Sequence, residues 1–342
     1  MRQFEIVLFT IFIALLFAAN AFLKSRSEES KAKIFKSLLW TFLVSTVGLI
    51  YMGAMTVSTR SGMAFPDWPT SDGVLWPSWN YFTAQQDRFY EHGHRLMGQF
   101  VGYLAILVLI FSRYFHKERN FKLALIIFIM VVIQGCLGGL TVAKNTLWLT
   151  TVLHGVFAQL CLAAMCYLLL KNTKLYNEQI PEEGFAPKLK GLAKFTLAAV
   201  VIQLLLGAIF RNKAKVFEYS ETGKVIYKEI IEGNAGWLFS HMTFALPVAI
   251  LLFALGVVLM KFKDLSKSYK LFGMSFHMMV TAQILLGVVA FFTVYNRQDG
   301  KFGFAETVLT SAHVVNGALI LACTFTAFKL LSVKIKKDVQ NG

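Results

Sequence analysis

The chain has 342 residues, 56% of them hydrophobic, with a mean hydropathy of +0.58 and a formal net charge of +15. That apolar content excludes an ordinary soluble enzyme and points to a chain that crosses a lipid bilayer several times. No nucleic-acid partner is expected, because Lys and Arg sit in short clusters between apolar runs, as membrane orientation requires.

The first apolar run, Ile6–Leu23, is about long enough to span and is followed by a basic segment. No small-residue cleavage site precedes Lys24, so it reads as an extra uncleaved anchor. Eight further runs follow: Leu38–Val57, Leu96–Phe111, Leu123–Val142, Leu149–Leu170, Leu192–Phe210, Trp237–Met260, Leu271–Val294 and Val308–Leu331. Runs near twenty residues select helices, since within lipid only helices or closed barrels satisfy their own backbone. Basic clusters at Lys24–Lys36, Arg113–Lys122, Lys171–Lys174, Lys261–Lys270 and Lys334–Lys337 mark alternate loops as cytoplasmic. The loops 58–93, 143–148, 211–236 and 295–307 are then external, although the third carries some basic residues of its own. Cys136, Cys161, Cys166 and Cys323 lie inside apolar runs with no C-x-x-C pair and read as packing residues.

Every second span begins, on the external side, with a histidine: His94, His154, His241 and His313. One buried histidine is ordinarily a hydrogen-bonded core residue; four at matching depth point to a shared purpose. The separations, 60 residues from His94 to His154 and 72 from His241 to His313, imply an internal repeat of four helices plus four. An even number gives both halves one topology, related by an axis along the membrane normal. Gln-x-x-x-Gly recurs at Gln134–Gly138, Gln203–Gly207 and Gln283–Gly287, where small residues permit close approach and amides can bond across helices.

Two histidines facing each other across a bundle form a bis-imidazole site suited to haem iron. Arg60, Arg95 and Arg211 stand at external helix ends, as partners for haem propionates or as snorkelling anchors. Zinc fits less well, because no carboxylate or thiol completes a ligand set near each pair; a proton relay stays open. The halves are unequal. His94 is flanked by Glu91 and Arg95, whereas His241 has Leu238 and Met242 in those places. The loop before His94 is long and aromatic, with Trp68, Trp76, Trp79, Tyr81 and Phe82, and reads as a lid or as an interface belt. The amino-terminal pair thus reads as the place of chemistry and the carboxy-terminal pair as a fixed electron carrier. His92 falls on the loop side of the boundary as a surface histidine, His116 lies in a basic loop, and His277 is taken as structural.

These residues together resemble the haem A synthase family, over about Lys36 to Lys334. The pieces are Thr59-Arg60-Ser61-Gly62 with Phe65-Pro66-Asp67-Trp68-Pro69, then Glu91-x-x-His94-Arg95. Gln134 to Val142 and Leu153-His154 follow, then Gln203-x-x-Leu206-Gly207-Ala208 with Arg211, His241, Gln283-x-x-Leu286-Gly287 and His313. The resemblance implies an all-α polytopic membrane protein of eight transmembrane helices in two pseudo-symmetric four-helix bundles, beside the extra amino-terminal helix. It implies a haem b cofactor held by His241 and His313, a substrate haem at His94 and His154, and a catalytic role for Glu91. The implied reaction oxidises the C8 methyl of haem O to a formyl group, giving haem A for cytochrome oxidase, in the cell inner membrane with the site toward the external side. Contact with haem O synthase and assembly as a homo-oligomer belong to the same resemblance, and an electron donor is required that the residues do not identify. Thr70 and Ser71 stand where many bacterial members have a cysteine, so redox control through that pair is not expected here.

The expected organisation is an anchor and basic linker at 1–35, a substrate-haem bundle at 36–175, a linker at 176–190, a haem b bundle at 191–334 and a tail at 335–342. Two other readings explain the four histidines: a di-haem b, quinol-linked electron-transfer cytochrome and a histidine-relay transporter. The first leaves the unequal halves unexplained; the second predicts no tightly bound haem.

Overall fold

Backbone amides and carbonyls in apolar surroundings must bond to one another, and a helix does this within a single segment. The computed structural model describes residues 21–22, 25–73, 86–115, 117–145, 147–177, 186–216, 235–261, 266–295 and 303–332. Among them are eight long helices: α1 (Glu28–Ser58), α2 (Gln86–Ser112), α3 (Lys117–Ala143), α4 (Trp148–Leu170), α5 (Ala186–Val216), α6 (Ala235–Lys261), α7 (Lys267–Tyr295) and α8 (Phe304–Leu330). All eight are long and apolar enough to cross a membrane. Each holds one of the eight apolar runs, to within a residue at the end of α8. The additional run Ile6–Leu23 lies outside the described residues except at Ala21 and Phe22, and Trp76, Trp79, Tyr81, Phe82, His116 and the tail 335–342 also lie outside them.

The chain divides into two units, residues 1–169 and 170–342. In the first, Phe35, Leu39 and Phe42 of α1 recur at helical spacing and meet Val101, Leu104 and Val108 of α2, Ala124 and Ile127 of α3, and Cys161, Met165 and Leu168 of α4 in one core. Thr46 on α1 reaches Met165 on α4 at 3.3 Å within that core. In the second unit α5 packs on α6, α6 on α7, α7 on α8 and α8 back on α5, a closed ring of four. Large apolar side chains such as Phe195, Phe239, Leu246 and Leu285 are more than half exposed. That is the surface a lipid-facing helix presents. Cys136 is exposed rather than packed, unlike the buried Cys161.

α1 and α2 both start about ten residues before their apolar runs. Ser27 caps α1 through its hydroxyl to the Ser30 amide, with Glu28 and Glu29 in the first turn. At its far end the amide of Arg60 bonds to Val57 and that of Ser61 to Thr56, a Schellman turn with Arg60 at φ 60° where glycine is usual. An L-residue in that conformation costs about 1 kcal/mol or more.

Candidate functional site

The loop after α1 is docked on α2 by one side chain. The Arg95 guanidinium donates to the carbonyls of Phe65 (3.1 Å), Asp67 (2.7 Å) and Thr70, to the Ser71 hydroxyl and to the Glu91 carboxylate (2.5 Å). The second Glu91 oxygen accepts from the Phe65 amide at 3.1 Å. Glu91 is 4% exposed, so its charge is held by a guanidinium and a backbone amide in place of water. The loop's own knot is Asp67, whose carboxylate accepts from the Thr70 hydroxyl and the amides of Asp72 and Gly73. Desolvation works to raise the Asp67 pKa, but these bonds outweigh it and hold it below the usual carboxylate value. A depressed carboxylate lends stability above its unfolded-state pKa and loses it as pH falls through the folded one. Asp67→Asn should therefore loosen 67–73 at neutral pH, read as faster limited proteolysis there, while the wild-type loop loosens only in acid.

His92 corrects the sequence expectation of a surface residue. Because α2 begins at Gln86, the ring lies inside the helix, 3% exposed, with Nδ1 3.1 Å from the Ser71 hydroxyl. The polar residues that concealed this helix start from a hydropathy reading, Glu91 and Arg95, are satisfied by each other and by the loop backbone. Trp68 crosses to α3: a methyl built on Gly139 would stand 2.7 Å from its indole.

His94, His154, His241 and His313 lie within the first ten residues of α2, α4, α6 and α8. The structure brings them together in two pairs. The ring centroids of His94 and His154 are 6.3 Å apart and edge-to-face, and those of His241 and His313 are 6.4 Å apart in the same manner. Each ring lies on a glycine of the preceding helix. A methyl added at Gly53, Gly138, Gly207 or Gly287 would stand 2.7, 3.1, 2.7 or 3.0 Å from Cε1 of His94, His154, His241 or His313 respectively. The Gln-x-x-x-Gly motifs are thereby explained, since both their residues serve the histidine of the next helix. Gln134 Nε2 is 3.0 Å from His154 Nδ1, Gln203 Nε2 is 3.1 Å from His241 Nδ1, and Gln283 Nε2 is 3.2 Å from His313 Nε2. Gly53 is the glycine that the sequence motif did not reveal, because Leu49 replaces glutamine four residues before it.

The pairs fit a shared iron. Two imidazoles bonded at about 2.0 Å to one metal, each centroid about 1.1 Å behind its donor atom, stand about 6.2 Å apart. Among the described residues no third His, Cys, Asp or Glu joins either pair, so a metal held there would need further ligands from a group of its own, as porphyrin nitrogens provide. The buried Oε1 atoms of Gln134 and Gln203 make no hydrogen bond. A half-turn of either amide would set that oxygen to accept from the near ring nitrogen, the tautomer that leaves the remote nitrogen for a metal. Arg211 on α5 donates at 3.5 Å to the carbonyl of Thr310, one turn before His313 on α8. Arg60 stands at the end of α1 and Arg95 is spent on the loop. His277 packs apart from these, with Nδ1 3.2 Å from the Gly273 carbonyl and its ring on Phe253.

The COX15-CtaA family model, described as cytochrome oxidase assembly protein, matches residues 36–325. A haem A synthase of Pelagibacter ubique is 22% identical over 347 residues, spanning 87% of this chain and 97% of that protein. One of Symbiobacterium thermophilum is 29% identical over 175 residues, 48% of this chain and 54% of the relative. One of Bacillus cereus is 27% identical over 149 residues, 43% of this chain and 45% of the relative.

Proposed function

Because the chain belongs to the COX15-CtaA family of cytochrome oxidase assembly proteins, we propose that it is a haem A synthase, oxidising the C8 methyl of haem O to a formyl group. The observation that carries this reading, beside the family, is the pair of imidazole pairs at 6.3 and 6.4 Å: among the described residues only the first has a buried carboxylate one turn before a histidine, Glu91, the buried Glu306 lying two turns before His313. Two equal electron-carrying sites would need no such difference. His241 and His313 hold a resident haem b; His94 and His154 hold the substrate haem. Iron porphyrin supplies, when bound, the redox chemistry that an inert methyl carbon demands.

The residues do the rest. Gly53, Gly138, Gly207 and Gly287 let each ring approach the neighbouring helix, and three glutamines fix ring rotation. Glu91, kept in place by Arg95 and the Phe65 amide, presents a fixed negative charge beside the substrate site, where it stabilises positive charge developing at the substituent or accepts its proton. Arg60 and Arg211 supply guanidinium partners for propionates. The chain acts as a multi-pass protein of the cytoplasmic membrane with its sites toward the external face, taking haem O from the synthase that makes it.

Haem extraction tests the reading directly, on protein purified from cells with and without haem O synthase. Haem b alone without that enzyme, and hydroxylated or formyl haem with it, is the expected result. Two equivalents of haem b under both conditions, with no new haem, would make the chain an electron-transfer cytochrome.

A further inference from the structure

We infer that Leu49 makes His94 the axial ligand that lets go, so that haem loads into and leaves the amino-terminal unit by release of that one imidazole; this rests on the haem sites proposed above. The four histidine–glycine contacts are copies of one arrangement. In each, Cε1 is the ring atom nearest a methyl built on the glycine, then Nδ1, then Nε2. With the rings seated alike, the difference lies four residues before the glycine. There Gln134, Gln203 and Gln283 each set an amide nitrogen 3.0 to 3.2 Å from a ring nitrogen. Before Gly53 the residue is Leu49, which has nothing to donate or accept and packs against the unit's core. The buried Nδ1 of His94 has no side-chain partner; the Leu49 backbone lies beside the ring, as the backbones of Gln134, Gln203 and Gln283 lie beside the other three.

The opposite extreme is His313. Its Gln283 is itself held by Asn316, whose Nδ2 donates to Gln283 Oε1 at 2.7 Å and to the Met279 carbonyl at 2.8 Å. The residues three places after the other histidines are Met97, Phe157 and Phe244, which carry no amide. Side-chain amide support therefore rises from none at His94, through one at His154 and His241, to two at His313. An outer partner of a ligating imidazole fixes its rotation, and losing one costs about 10- to 100-fold in metal affinity. The ring without a side-chain amide swings away most easily, and it stands in the unit whose haem must arrive and depart in every turnover. The best-supported ring stands where the haem stays.

Carbon monoxide reads this without any turnover, because it binds reduced haem only where an axial ligand yields. In the full-length protein, loaded with haem b and reduced in detergent, wild type should bind carbon monoxide at one haem. Leu49→Gln should slow that binding about 10- to 100-fold. Leu49→Met, which keeps the volume without an amide, should leave it at the wild-type rate. Gln203→Leu should create a second reactive haem. Unchanged kinetics in haem-loaded Leu49→Gln, or equal slowing by Leu49→Met, overturns the inference. Should Leu49→Gln bind no haem, Gln203→Leu decides: a haem that stays unreactive there also overturns it. Failure of the underlying assignment looks different, as a wild-type haem content that His154→Ala does not change.

Discussion

Glu91→Gln should keep haem b and make no formyl haem, with haem O accumulating on the protein when haem O synthase is present. The glutamine variant is the informative one. Glu91 and Arg95 form a buried pair, 5% and 11% exposed, and removing one member of such a pair costs about 3–5 kcal/mol by leaving the other charge uncompensated. Glu91→Ala would thus release the loop from Phe65 to Ser71 as well as removing the carboxylate. Glutamine keeps one oxygen for the Arg95 guanidinium and gives up the bond to the Phe65 amide, while the Arg95 bonds to the carbonyls of Phe65, Asp67 and Thr70 remain, so the loop should stay docked while the charge is lost. Removing a group that handles a proton or a developing charge costs about 10²–10⁴-fold in rate. Haem chromatography should therefore find product reduced by at least about 100-fold, with the haem b spectrum unaltered. Wild-type product from this variant would remove Glu91 from the chemistry.

Gly207→Ala should empty the haem b site while leaving the helix sound. The added methyl would lie 2.7 Å from His241 Cε1, closer than carbon atoms approach, and α5 cannot retreat without losing its packing on α6. The ring must turn, which takes it out of register with His313 and with Gln203. Alanine in a helix interior is otherwise favoured over glycine by about 1 kcal/mol, so haem content and helical stability should move in opposite directions. Haem per chain from absorbance, set beside a thermal melt of the haem-free protein, separates the two. Gly138→Ala, where the contact would be 3.1 Å, should lose less haem from its unit. A Gly207→Ala protein with a full complement of haem b would show that the glycine merely spaces the helices.

The helices were legible in the sequence because apolar runs of spanning length have one backbone solution, and the histidines because their spacing follows the helices. What escaped was whatever depends on neighbours. Residues 86–95 look like loop to a hydropathy reading, yet they are helix, since Glu91 and Arg95 cancel each other and the loop backbone takes the remaining donors. His92 was misplaced for the same reason. The glutamine motifs were visible as a repeat, but their partner, the histidine of the following helix, emerges only when α3 meets α4, α5 meets α6 and α7 meets α8. Leu49 was invisible altogether, because an ordinary leucine in an apolar run acquires meaning only beside three glutamines in the same place.

The Arg95 contacts also set an order of assembly. The carbonyls of Phe65, Asp67 and Thr70 receive their donors from a residue that follows them by 25 to 30 positions in the chain. While the ribosome is still making α2, that segment has no guanidinium to gather it and stays hydrated beyond the end of α1. Insertion of α2 delivers the fastener, so the segment is drawn down after both helices are in the bilayer. The strap across this end of the unit is thus tied late in biogenesis, by the helix that bears the first histidine.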